Sequence, residues 1–439
     1  MPRVLFCSCC WIGVVLAMLA PTKSSATRLV TFEKAGRHGL ERAWFAQVSV
    51  DLTRGRVSQW TLHKDQLFAL STSGTLQALN SETGETLWTV RVGTPNGAFA
   101  GPSINEKYVA LTSGTRLYMI DRKDGHVLWT RLLGSAAAAA PALSQRYAFV
   151  GLMNGQVEGY PLEDLAVPVW RHQSIGRIFY SPMVTGSVVC WPTDRGYLYV
   201  AQNDRPRVLF RVETNDEIVA SPAELEPYLY VASRDGYLYC LHERSGAELW
   251  QFSAGYPIVK KPAVVGNMAY VASEQPALHA VDSKTGRLLW SAVGATQFVA
   301  EGALHVYGMD RYGTLLILDK GSGGVVGRLD TGEGTTALVN DQSDRIFLVS
   351  DRGLVQCLRE RDSRQPTYYR LETGLREDAL PEDTTESPFA EEAPGEGFSR
   401  PAAEEEPTDD FGSRFQPTEE EPEKETQEET GEDDDNPFF

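Results

Sequence analysis

Ala78-Leu-Asn-Ser-Glu-Thr-Gly-Glu-Thr-Leu-Trp88 returns, in the same frame, as Ala280-Val-Asp-Ser-Lys-Thr-Gly-Arg-Leu-Leu-Trp290. The stretches from Met119 to Trp129 and from Cys240 to Trp250 keep that frame, while the copies ending at Trp170 and Phe210 lack the turn glycine. In each intact copy an apolar strand ends at a residue whose side chain can bond the next backbone amides. A glycine (Gly84, Gly125, Gly246 or Gly286) then takes up the positive φ that side chains disfavour, and an apolar strand leaves carrying a tryptophan. The phrase is a hairpin. His242 stands where the other copies have Asn or Asp, which gives it a structural part in the turn.

The motif aromatics Trp88, Trp129, Trp170, Phe210, Trp250 and Trp290 are 41, 41, 40, 40 and 40 residues apart, a period that belongs to closed or stacked repeat folds. Ahead of each phrase lies another strand pair joined at a turn, as in Tyr230-Val-Ala followed by Gly236-Tyr-Leu-Tyr. Further upstream sits a strand marked by Pro102, Pro141, Pro182, Pro222 or Pro262, at intervals of 39, 41, 40 and 40. Four short strands per unit with a recurrent Trp on the last are the signature of a propeller blade. Six units run from about Arg56 to Val293; a seventh keeps Asp319 and Gly323 but has Gly327 where Trp is expected, and an eighth ends with Tyr368 to Leu371. The fold class is all-β: an eight-bladed β-propeller of four-stranded antiparallel blades. An open array would leave sheet edges exposed to aggregation. The alternating Ala46, Val48, Val50 and Leu52 are therefore expected to give a strand to the last blade. The Ala136 to Ala140 run is expected at the crowded innermost strand of unit three.

The two ends differ in kind from the repeat. Arg3, an apolar run from Val4 to Ala20 and small residues Ser24-Ser25-Ala26 read as a signal peptide at 1–26, hence export to the periplasm or envelope. Residues 27–44 read as a linker, 45–371 as the propeller and 372–439 as a disordered, Pro-rich acidic tail. That last segment holds 25 Asp/Glu against four Lys/Arg, a balance of -21, and residues 1–371 carry +3, so the acidity of the chain, -18 in all, belongs to the tail. Cys190, Cys240 and Cys357, in three different repeats, are expected as buried thiols rather than a disulfide framework.

Signals for chemistry are sparse. The seven histidines show no paired ligand spacing, no Gly-rich phosphate loop opens a helix, and an exported chain makes nucleic acid an improbable partner. The blade phrases resemble the Trp-motif repeats of the pyrroloquinoline-quinone (PQQ) type, with Ala-x-Asp-x-x-Thr-Gly-x-x-x-Trp nearly literal at 280–290. That family includes quinoprotein dehydrogenases and BamB-like outer-membrane assembly-factor propellers, and the compact, loop-poor form here looks more like the second. The dehydrogenase branch implies PQQ, Ca²⁺ and often a disulfide between adjacent cysteines. Here the adjacent pair Cys9-Cys10 falls in the signal peptide, and no loop is dense in Asp, Glu and Asn. The resemblance thus implies a monomeric envelope scaffold that binds proteins, without catalytic residues, cofactor or metal; a quinoprotein oxidoreductase is the alternative. The chain departs from the BamB-like pattern in lacking a lipid-anchor cysteine and in adding the acidic tail.

In an antiparallel blade the turns between second and third strands share one face with the blade-to-blade loops. That face gathers Arg195, Arg234, Asp235, Arg311 and Arg352 from hairpin turns and Arg177, Tyr180, Tyr256, Lys260 and Lys261 from connections. Arg with Tyr is the composition of protein-binding hot spots. This face is the predicted docking surface, and Trp88, Trp129, Trp170, Trp250 and Trp290 with Gly84, Gly125, Gly246 and Gly286 are the predicted structural motif.

Overall fold

In a computed structural model of the protein, residues 29–369 are described, apart from Arg54, Asn96 and Pro206; the signal-peptide and acidic-tail assignments lie outside the described residues. Eight sheets of four antiparallel strands form the blades of a propeller. Blades 1 to 7 are residues 57–91, 99–132, 142–173, 183–213, 223–253, 263–293 and 295–330, each paired in chain order from first to fourth strand. The first strands of neighbouring blades approach one another, which places them innermost. Prolines tolerate that position because an innermost strand has one edge without a ladder partner to supply.

Blade 8 is assembled from both ends of the domain. Its order is Leu40–Gln47, Leu354–Glu360, Ile346–Ser350, Thr335–Ala337. The clasp therefore begins six residues before Ala46, inside the stretch read as a linker at 27–44, and it supplies the fourth strand of the blade; of the stretch Tyr368 to Leu371, the last two residues lie outside the described ones. It stops at Gln47 because Asp51 turns the chain toward blade 1, its Oδ1 accepting from Thr53 N at 3.0 Å and Thr53 Oγ1 at 2.6 Å. Tyr368 makes only an isolated bridge with Ser343. A short helix, Phe32–Gly36, capped by Thr31, precedes the clasp. In blade 3 the inner strand is reduced to Ala142–Leu143; of the alanine run, Ala137 bridges Leu152 ahead of it.

The core is divided into eight apolar clusters, each filling the seam between two adjacent blades. The hairpin phrase builds these seams. Asn80 Oδ1 accepts from the amides of Glu82 and Thr83 at 2.8 and 2.9 Å, and Asp282 does the same for Lys284 and Thr285. His242 fills this role with Nδ1, at 3.3 and 3.4 Å from the amides of Arg244 and Ser245. The glycine then lies under the motif aromatic of the preceding blade, Phe210 in the case of Gly246 and a tryptophan elsewhere. A Cβ on Gly125 would stand 2.5 Å from the Trp88 ring, and one on Gly286 2.6 Å from Trp250. The ring nitrogens of Trp88, Trp129, Trp250 and Trp290 also donate to a carbonyl of the next blade, Trp88 to Arg122 O at 2.8 Å and Trp290 to Lys320 O at 3.0 Å.

The same contact closes the ring. Trp44, on the clasp strand, sits on Gly84 of blade 1 and donates to Ser81 O at 3.0 Å. It is the missing motif aromatic of blade 8. Gly327 of blade 7 has no such partner to reach, because blade 8 joins its third and fourth strands from distant parts of the chain and has no hairpin turn there. The N-terminal segment fills the gap: His38 Nδ1 would lie 2.8 Å from a Cβ on Gly327, and Val30, Ala35 and Leu40 join the blade 7–8 core.

The segment after blade 8 is held by a buried charge. Arg345, wholly buried, pairs with Asp344 at 2.9 Å and Glu82 at 3.1 Å, and donates to the carbonyls of Ser363 and Arg364 at 3.2 and 3.0 Å. Asp344 in turn accepts from Thr367 N at 3.1 Å, and the Tyr369 hydroxyl donates to Glu301 O in blade 7.

Burial also sets a pH limit. His63, at the tip of the first hairpin of blade 1, has an Nε2 that is covered and unpartnered, and burial first, then Arg122, lowers its pKa from 6.5 to about 4. Lys64, Glu106 and Asp65 face it as well, the carboxylates opposing the shift. A depressed histidine favours the folded state above the unfolded value, and that contribution is lost as pH falls from about 6.5 toward 4. Urea titrations between those limits are expected to lose up to about 3 kcal/mol from this group. His63→Gln flattens the slope; an unchanged slope in that variant rules His63 out as the cause.

Candidate docking face

The turns between second and third strands and the blade-to-blade connections lie together on one face, as antiparallel pairing requires. The sequence-predicted residues are spread around this rim rather than gathered in one place. Two of them, Arg177 and Arg195, meet with Asn154, Gln173, Ile175 and Tyr197 at a cleft of about 630 Å³ between blades 3 and 4.

Loop 174–177 forms the floor of the cleft and is fixed at each residue. Ser174 N donates to Gly155 O at 2.9 Å, and Ser174 Oγ accepts from Trp191 Nε1 at 2.8 Å. Ile175 N donates to the Tyr199 hydroxyl at 2.9 Å, and Arg177 N to Asp194 Oδ1 at 2.7 Å. Gly176 has φ +93°, and an added Cβ would stand 2.7 Å from Asp194 Oδ1, so the crossing accepts glycine alone. Trp191 and Tyr199 stack at 5.6 Å and 3°, and His172 packs against both, its pKa lowered by burial. Arg211 lies over the Tyr197 ring at 4.3 Å on the same side.

What the loop presents is apolar and cationic together. The Ile175 side chain is 54% exposed although the amide behind it is anchored. Arg177 is 66% exposed, 3.2 Å from Asp194 Oδ2 and 5.5 Å from the Phe179 ring centre. Arg195 is exposed and makes no ion pair among the described residues.

The other predicted residues have separate surroundings. Arg234 is exposed, 3.8 Å from Glu217. Asp235 is committed to the fold: its carboxylate accepts from Asn215 N at 3.1 Å, Tyr237 N at 2.9 Å and Tyr239 Oη at 2.7 Å. Lys260 reaches into blade 7, donating to Thr296 O at 2.9 Å, while Lys261 is exposed. Tyr180 is half-buried, Tyr256 is exposed, and Arg311 lies over Tyr312, a ring that is 83% exposed. Arg352 is half-buried, and its carbonyl accepts from Gln47 Nε2 at 2.7 Å. Sequence reasoning missed Ile175 and Tyr197, although Ile175 stands beside Arg177 in a connecting loop where an exposed branched apolar residue has no core to fill.

Among the described residues no group of three or more His, Cys, Asp or Glu side chains is placed to hold a metal ion. No helix among them is long and apolar enough to cross a membrane. Cys190, Cys240 and Cys357 are free and buried, and burial raises each thiol pKa, that of Cys240 to about 12.

Ring, seams and hairpin phrase define the chain as a Trp-motif propeller of the PQQ-repeat class. Residues 37–207 and 167–335 match the family described as outer membrane protein assembly factor BamB, which covers more than half of the chain. The chain belongs to that family. Among solved structures it is similar to BamB from Moraxella catarrhalis, at 18% identity and a TM-score of 0.61, covering 74% of this chain and 98% of that one. It is also similar to the computationally designed Ika8 protein, at 16% identity and a TM-score of 0.56, covering 69% and 96%. At these identities the likeness is one of fold. No curated protein matches the chain.

Proposed function

We propose that this chain is an exported scaffold of the bacterial cell envelope, which holds a protein partner at the cleft between blades 3 and 4 and does no chemistry of its own. The observation that carries the reading is the pre-set loop 174–177. Its backbone is bonded before any partner arrives, so presenting Ile175 and Arg177 carries little ordering cost, and an apolar anchor beside guanidinium groups is the composition of a hot spot. Family membership supports a protein partner, and the family's description makes a component of outer-membrane protein assembly the first to test.

Replacing Arg177 and Arg195, both exposed at the cleft, together by Ala is expected to leave thermal stability nearly unchanged, since exposed charges contribute little. Co-purification of the partner from envelope extracts is expected to fall about tenfold, or about 1.4 kcal/mol. Lys123 and Lys284, exposed on the opposite face, form the control set. Equal loss from both sets, or from neither, removes the assignment. For the oxidoreductase alternative, an absorbance titration with PQQ and Ca²⁺ decides: no saturable change is expected, and saturation with dye-linked alcohol oxidation overturns the non-enzymatic reading.

A further inference from the structure

The face opposite the docking cleft carries a larger concavity, about 1190 Å³, bounded by first-to-second-strand turns of blades 2, 3 and 4 and third-to-fourth-strand turns of blades 3, 4 and 5. Its wall is built before any ligand arrives, because neighbouring turns bond one another. Asn105 Nδ2 donates to Ser144 O and Asn203 Nδ2 to Thr185 O, both at 2.8 Å. Gly186 N donates to Glu226 Oε1 at 2.7 Å, and Ser187 Oγ to Glu243 Oε1 at 2.6 Å.

Most charges of the wall are already matched. Lys107 pairs with Glu163 at 3.2 Å, Glu106 with Lys64 at 2.6 Å and Asp204 with Arg205 at 3.6 Å. Arg146 makes no ion pair among the described residues, and Arg244 comes only to 4.0 Å of Glu243. The amides of Gln145 and Gln202 have no side-chain partner among the described residues, and both line the concavity. Between these polar groups the half-buried side chains of Ile104, Tyr108, Leu143 and Val184 form apolar patches.

We propose that this concavity binds a short oligosaccharide bearing a carboxylate. A sugar ring presents hydroxyls that both donate and accept, which amides match, and C–H faces that pack on apolar and aromatic side chains. The carboxylate goes to Arg146, whose planar fork can take both oxygens. A polyanion finds too little unmatched positive charge here. An extended peptide finds turns in the wall rather than the open strand edge that β-augmentation uses. The docking cleft lies on the other face, so either site can fail without the other.

Isothermal titration of the full chain with aldotetraouronic acid, a xylotriose bearing one glucuronate, tests the proposal, with chitotetraose as the uncharged sugar and tetraglutamate as the acidic peptide. Aldotetraouronic acid is expected to bind saturably, with a Kd of about 1 mM or tighter, and more tightly than either control. Arg146→Ala is expected to weaken it about tenfold and Arg146→Lys less, while Arg195→Ala on the far face changes nothing; thermal unfolding confirms that each variant is folded. Absence of saturation overturns the site. Tetraglutamate binding as well as the sugar makes it an acidic-peptide site and overturns the ligand class. Chitotetraose binding equally well, or indifference to both Arg146 variants, overturns the carboxylate assignment.

Discussion

Trp44→Ala is expected to destabilise the propeller by about 3 to 5 kcal/mol, the range for truncating a large buried aromatic. Trp44 is the sole motif aromatic that joins the two ends of the repeat array: it packs on Gly84, donates to Ser81 O at 3.0 Å and lies 6.2 Å from the Phe347 ring. Its loss removes seam packing and also loosens the clasp, leaving the edge of Leu354–Glu360 exposed to pairing with other chains. Trp129→Ala is the comparison. That ring is half-buried and its hydrogen bond to Leu162 O is long, at 3.4 Å, so a smaller loss is expected from a seam inside the array. Denaturant midpoints together with light scattering measure both effects. Equal losses without added aggregation for Trp44→Ala would show that closure does not depend on the clasp.

Arg345→Ala is expected to cost about 3 to 5 kcal/mol as well, by a different route. The guanidinium is wholly buried, and truncating it leaves Asp344, itself buried, without its 2.9 Å partner, while two carbonyls of the following segment lose their donor. An uncompensated buried charge costs more than the pair contributes, so the double variant Arg345→Met, Asp344→Asn is expected to recover part of the loss. Cleavage between residues 361 and 369 by a protease is expected to rise in the single variant. A loss below about 1 kcal/mol would mean that water reaches the site and replaces the guanidinium.

The repeat was legible because its physics is local. A hairpin with an Asx turn, a positive-φ glycine and an aromatic on the strand that leaves the turn needs only neighbours in sequence, and repetition every 40 or 41 residues makes each copy evidence for the others. Trp44, 44 residues before Trp88, continues that series, but the copy is split: its turn glycine is absent because its strand pairs with one more than three hundred residues away. The same split explains Gly327, which reads as a degenerate motif in sequence and is a site cleared for His38 in space.

For the candidate site the division falls elsewhere. Antiparallel geometry alone assigns Arg177, Arg195, Arg234, Arg311 and Arg352 to one face, since the chain must reverse at every turn. Which of them act together depends on the angle between blades and on side-chain partners from other blades. Only the folded ring shows Asp235 consumed by Tyr239, Lys260 reaching to Thr296, and Ile175 held out beside Arg177 because Tyr199 and Trp191, from the next blade, fix the loop behind it. The sequence by itself determined the blades, their order and the face that each turn occupies. Closure, the two concavities and the pairing of their charges were decided by tertiary structure, because those contacts join residues whose separation along the chain carries no periodic signal.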